Sequence, residues 1–181
     1  YQEGKNGQSL SFPGNKESYV LLSNKLLDKV PQFSISLWLK SSGSGDGIFS
    51  AANEGTPNEL LLFDQNNLKV YVKGSEKSFG TNLNDNSWHH LVLTLDTING
   101  ILKVYMDGTL IGEQTIERTP LDIGAIVLGQ DQDSLLGGFE TSQSFSGSLD
   151  EISIFKKILT LHEVQQLHKY SGKHMCELDT V

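Results

Sequence analysis

Cysteine is nearly missing from this 181-residue chain, which has one, Cys176. An internal disulfide is therefore excluded. A free thiol and a half-cystine whose partner lies in another module both stay open, so cysteine usage leaves the compartment open too. Cations are also scarce: 14 Lys and Arg stand against 22 Asp and Glu, for a net charge of −8. Without a basic stripe, nucleic acid is not the expected partner. No apolar run approaches the roughly 18 residues that a membrane-spanning helix needs. No Asn-x-Ser/Thr glycosylation acceptor occurs. The opening Tyr1-Gln2-Glu3-Gly4 lacks the basic start and apolar stretch of a signal peptide and reads as a cut or processed start. The length suits one domain with a sizeable core.

What the chain does have is alternation. In FSISLWL, residues 33–39, Phe33, Ile35, Leu37 and Leu39 fall on one face and Ser34, Ser36 and Trp38 on the other. Leu60 to Phe63 reads as a short buried strand, and Leu68, Val70 and Val72 alternate with Lys69, Tyr71 and Lys73. HLVLTL (90–95), a turn at 96–100, ILKVYM (101–106) and the Asp107-Gly108 turn make a hairpin. Ile126 to Leu128 enters an acidic segment and Leu149 to Phe155 leaves it. Strands at about ten-residue spacing predict an all-β, two-sheet antiparallel sandwich or jelly roll. One short C-terminal helix is expected: Thr160-x-x-Glu163 has capping-box form, Leu161, Val164 and Leu167 follow at helical spacing, and Gly172 is a stop. The expected domain is 1–172, with 173–181 a tail or the start of a linker.

The segment Leu128–Gly147 concentrates the chemistry. In an extended chain Asp131 and Asp133 point the same way and bracket the Gln132 carbonyl; Glu140 and Gln143 follow a turn at 135–138. Carboxylates, amide oxygens and backbone carbonyls are what Ca²⁺ takes. The EF-hand spacing does not fit, because Leu135 occupies its fifth position. On spacing alone, a solvated acidic loop is the simpler reading.

The histidines point away from a metal site. Neighbouring His89 and His90 face opposite sides of a strand, and His162 and His168 are not an i, i+4 pair. Catalysis lacks its motifs. No GxSxG elbow is present, no Glu-x-Asp-x-x-Glu strand appears, and Asp150 and Glu151 are neighbours expected to face opposite ways. Trp38 and Trp88 are expected on strands, in core packing rather than as a sugar-stacking platform.

Two resemblances organise these pieces. GQSLSF with SYV, FSISLWLK, WHHLVLTLD and GILKVYMDG, in that order, resemble a laminin G-like domain, which implies a concanavalin A-like jelly roll. LGQDQDSLLGGFETSQSFSGSLDEISIF and GIFSAANEGTPNELLLF resemble the pentraxin calcium segments, and ILTLHEV falls where pentraxins carry a capped helix. The resemblance implies one or two Ca²⁺ ions: Asp131 and Asp133 bridge, the Gln132 carbonyl and Asn58 hold the first, and Glu140 and Gln143 complete the second. Phe63 and Glu76 match the apolar wall and carboxylate of the pentraxin ligand pocket.

The departures are specific. Pro57 replaces an acid before Asn58, Asp131 replaces a longer Glu, and Leu95 replaces a signature tryptophan. The family disulfide positions hold Ser36 and Val92. This implies a divergent module of a larger extracellular protein, with oligomeric state not carried over. The expected function is calcium-dependent recognition of an anionic group, a phosphate- or carboxylate-bearing small ligand or glycan, and not catalysis. The alternative is a protein-interaction or spacer module of an adhesion protein or receptor, in which calcium is only structural.

Overall fold

The computed structural model describes residues 1–43 and 46–171. The expected helix stop at Gly172 and the tail 173–181, with His174 and Cys176, lie outside the described residues. Two antiparallel sheets form. The seven-stranded sheet runs β1 (Gln2–Glu3), β2 (Gln8–Pro13), β13 (Ser146–Phe155), β4 (Gln32–Ser41), β9 (His89–Asp96), β10 (Ile101–Met106) and β11 (Thr109–Thr115). The six-stranded sheet runs β3 (Val20–Leu22), β12 (Ala125–Leu128), β5 (Gly47–Ala52), β6 (Leu60–Phe63), β7 (Lys69–Val72) and β8 (Ser75–Ser78). The helix α1 spans Leu161–Tyr170.

Alternation sets the layers. Phe33, Ile35, Leu37 and Leu39 of β4 and Leu91, Leu93 and Leu95 of β9 enter the core between the sheets, against Phe49, Ala51, Leu60, Leu62 and Val70 from the other side. Each such burial contributes about 1.5–3 kcal/mol. The residues between them turn outward. Ser50, flanked by inward Phe49 and Ala51, therefore lies on the outer face of the six-stranded sheet.

The outer face of the seven-stranded sheet is covered by α1 through a second cluster of Val92, Tyr105, Leu159 and Val164. The capping box forms as expected: Thr160 Oγ1 accepts from the Glu163 amide and Glu163 Oε2 accepts from the Thr160 amide. Leu161 does not join the apolar face and is 49% exposed. His168, in the last turn of the same helix, stacks on Trp38 at 5.4 Å. His90 packs beside both rings, at 5.2 and 5.7 Å, and Lys5 Nζ lies 4.1 Å over Trp38. Trp88 precedes β9 rather than sitting on it and is half-buried. Asp150 and Glu151 do not simply face apart. A bulge in β13, with Glu151 at φ 48°, brings both carboxylates onto Asn6, through its amide and its side chain.

Candidate functional site

The acidic segment is folded back over the outer face of the six-stranded sheet and fixed there by hydrogen bonds. β12 ends at Leu128, and Gly129, at φ 86°, turns the chain. The neck is held by Gln130, whose Nε2 donates to the Asn15 and Ser18 carbonyls and whose Oε1 accepts from Ser144 Oγ at 2.8 Å. Further along, the Gln132 amide donates to Ser50 Oγ at 3.2 Å, and Gln132 Nε2 donates to the Ser50 carbonyl at 3.1 Å. Gln132 Oε1 accepts from the Leu136 amide and shapes the tip, where Ser134 and Gly137 exchange backbone bonds. The Gln132 side chain is thus a staple, and only its backbone carbonyl is free for other work. Beneath the loop lies Gly47, where any Cβ would overlap the Asp131 amide nitrogen. Glycine at that position lets the loop sit on the strand.

Within this frame the structure brings together Asp131, Asp133, Glu140 and Gln143. Asp131 is 3% exposed. Its Oδ2 accepts from Gln143 Nε2 at 3.2 Å, while its Oδ1 is buried without a donor. Burial, then the neighbouring Asp133 charge, push the Asp131 carboxyl up to about 6. Asp133 and Glu140 face water. Burial and the Glu140 charge raise Asp133 as well. Residues 129–133 belong to no strand, and the Asp133 charge acts on the Asp131 carboxylate.

Two amides share the unpartnered state. Gln143 Oε1 and Asn58 Oδ1 are both buried with no hydrogen-bond donor. Asn58 lies two residues before the start of β6, held by its own carbonyl, which accepts from the Gly74 amide at 2.8 Å. Among the described residues no hydrogen bond ties its side chain to the loop. A buried polar oxygen left unmade costs about 1–3 kcal/mol. Asn58 Oδ1, Asp131 Oδ1 and Gln143 Oε1 are thus each buried without a donor, and amide and carboxylate oxygens are the ligand types a hard cation takes. No group of three His, Cys, Asp or Glu side chains converges in metal-holding geometry among the described residues.

Phe63 and Glu76 lie on the same outer face. Phe63 meets Tyr71 edge-on at 6.4 Å, and Tyr71 Oη donates to Glu76 Oε2 at 2.6 Å. Burial, the Glu76 bond and the charges of Glu76, Asp131 and Asp64 push the Tyr71 hydroxyl up to about 12. The aromatic pair thus adjoins the loop. Sequence reasoning missed Gly47, Ser50, Gln130 and Tyr71. Gly47 had a signal, a glycine opening an apolar strand; the side-chain staples had none.

A profile of the pentaxin family matches residues 8–177. The chain belongs to the pentaxin (pentraxin) family. It is 35% identical to rat neuronal pentraxin-1 over 187 residues, covering 94% of this chain and 43% of that protein. It is 33% identical over 156 residues to a rat sushi, von Willebrand factor type A, EGF and pentraxin domain-containing protein, covering 82% of this chain and 4% of the relative. The chain therefore spans less than half the length of these relatives. Among solved structures, the native heptameric SAP-like pentraxin of Limulus polyphemus superposes with a TM-score of 0.74 at 25% identity, covering 88% of this chain and 81% of that one. A domain of a Geobacillus stearothermophilus arabinanase, in complex with arabinotriose, shares the fold at TM-score 0.71 and 22% identity, covering 93% of this chain and 80% of that one. Among the described residues no helix is long and apolar enough to cross a membrane.

Proposed function

We propose that this pentraxin domain is a calcium-dependent recognition module. The observation that carries the reading is the trio of buried, donorless oxygens on Asn58, Asp131 and Gln143. Asp131, Asp133, Glu140, Gln143, Asn58 and the Gln132 carbonyl would hold one or two Ca²⁺ ions. The ions supply positive charge on a protein of net charge −8, so an anionic phosphate or carboxylate can bind there. Pro57 lends no side-chain oxygen to the first ion. The domain, 1–172, works as a non-enzymatic extracellular module. Calorimetry with CaCl₂ tests this directly. Wild type should bind calcium and gain thermal stability that EDTA removes, by mass action on the native state. The Asp131→Ala/Asp133→Ala variant should stay folded and bind none; unchanged calcium binding in it rules the site out.

A second reading, protein interaction with calcium only ordering the loop, is favoured by apolar exposure beside the loop. Tyr19 (46%), Leu21 (55%) and Leu136 (50%) are open, and Tyr19 meets Phe139 at 5.1 Å. A calcium-dependent complex with a protein, with no small anion bound, would favour it.

A further inference from the structure

One strand of the seven-stranded sheet changes status along its length. Over Ser146–Leu149, β13 lies between β2 and β4, and Leu149 pairs with both Leu10 and Leu39. After its bulge it pairs with β4 alone: Ser153 with Ser36, Ile154 with Ile35 and Phe155 with Ser34. Among the described residues no strand pairs with the other side of residues 152–155, and no backbone hydrogen bond from a loop reaches it. An antiparallel strand offers alternate residues to each side, so this stretch presents unpaired N–H and C=O groups. The edge is also recessed. β2 and β1 add two strands beyond β13 at one end and none at the other. Asn6 closes one shoulder on Asp150 and Glu151, and Lys156 Nζ meets the Lys25 carbonyl at the far end. The open stretch is set back by two strand spacings, roughly 10 Å. A whole second sandwich cannot enter that notch edge to edge, whereas one extended segment fits it.

The other edges are guarded in the usual ways. β1 and β3 are two and three residues long, β8 carries Glu76 and Lys77, and β11 carries Glu113 and meets β10 through a register shift. Ile152-Ser153-Ile154-Phe155 has no charge, proline or glycine. Ile152 and Ile154 pack against the core between the sheets and Phe155 against the helix cluster, yet all three stay partly open. On the helix side a recess of about 360 Å³ opens beside Phe155, with Leu159 and Leu167 in its lining. Apolar surface is therefore left uncovered on both sides of one unpaired backbone edge. Only a peptide backbone presents donors and acceptors at the spacing that such an edge requires.

We propose that residues 152–155 are a docking edge for an extended peptide of a partner protein, which adds to β13 as a strand in the notch. Its backbone pairs with β13, and β-branched apolar residues at alternate positions cover Ile152 and Ile154. The edge belongs to the seven-stranded sheet and needs no calcium. The probe is an acetylated, amidated peptide of alternating valine and threonine, with hydrogen exchange followed by NMR on the full chain. In the free protein, alternate amides within 152–155 should exchange far faster than the neighbours bonded to β4, and saturating peptide should slow them at least about tenfold. The same peptide N-methylated at alternate residues should bind at least about tenfold more weakly, because it cannot form the ladder. Ile154→Lys supplies the charge that other edges carry, and its side chain is open enough to reach water. It should weaken the peptide about tenfold with melting and calcium titration as in wild type. Affinity should be equal in calcium and in EDTA. Slow exchange throughout 152–155 in the free protein, no binding of the valine–threonine peptide, equal affinity of its N-methylated form, or protection that follows dimerisation of the chain instead of peptide would each overturn the proposal.

Discussion

Ser36 and Val92 are direct partners across the β4–β9 pairing, at the two positions where the family resemblance implies a disulfide. The Ser36 hydroxyl instead meets His90 Nε2 at 2.8 Å. Direct antiparallel partners have Cβ atoms about 4.5–5.5 Å apart, near the reach of a disulfide. The Ser36→Cys/Val92→Cys variant should therefore form the bond in oxidising buffer and raise stability by about 2–4 kcal/mol over its own reduced form. Melting with and without dithiothreitol measures this; identical curves despite full oxidation would count against the geometry.

On the proposed calcium reading, Asn58 exchanges stability for binding. Its Oδ1 is buried without a donor, so Asn58→Leu removes an unmet polar atom and keeps the volume. The calcium-free variant should melt at or above the wild-type temperature, within about 1 kcal/mol, while its calcium-induced shift falls sharply. A variant that melts well below wild type yet binds calcium normally would reverse the assignment.

Gly47 seats the loop. Gly47→Ala places a methyl on the Asp131 amide, and the loop or β5 must shift. Overpacking of this kind costs roughly 1–3 kcal/mol. Urea unfolding should register that loss, and calcium affinity should drop with it, because the loop that carries Asp131 and Gln143 has moved.

His90 makes the fold acid-sensitive. Burial, then the His168 charge, lower its imidazole to about 4 from 6.5; Asp107 pulls upward and Lys5 adds to the lowering. The folded pKa lies below the unfolded one, so its contribution is present above about pH 6.5 and is lost as pH falls towards 4. Asp131 and Asp46, both raised to about 6, act in the opposite sense over the same range. The measurement is therefore a difference. Stability of wild type minus His90→Phe should decline on the order of 2 kcal/mol between pH 7 and pH 4, and a flat difference would exclude the buried neutral imidazole.

The sequence carried the sandwich where alternation was strong. FSISLWL and HLVLTL became β4 and β9, with Leu on the core side, and the Thr160 capping box opened α1. Two edges were less legible. β8, SEKS, and β11, TLIGEQT, are half-polar strands made by pairing with a neighbour rather than by burial. Leu161 had helical spacing but stands at the first turn, where spacing alone cannot say how far the sheet extends. At the loop, the types and order of Asp131, Asp133, Glu140 and Gln143 could be read directly. Which of their oxygens lack donors could not, because that depends on Ser50 and Gly47, remote in the chain and brought near by the β12–β5 pairing, and on the partners that hold Gln130.

The two outer faces of the sandwich carry opposite deficits. One has buried oxygens without donors, on Asn58, Asp131 and Gln143; the other has buried ring nitrogens without partners, on His90 and His168. A close-packed core of Phe33, Leu37, Phe49 and Leu62 lies between them. Under the calcium reading, the increments of calcium and of His90 protonation should sum across that core, whereas acid also reaches the loop face through Asp131, so the calcium increment itself should shrink as pH falls through about 6.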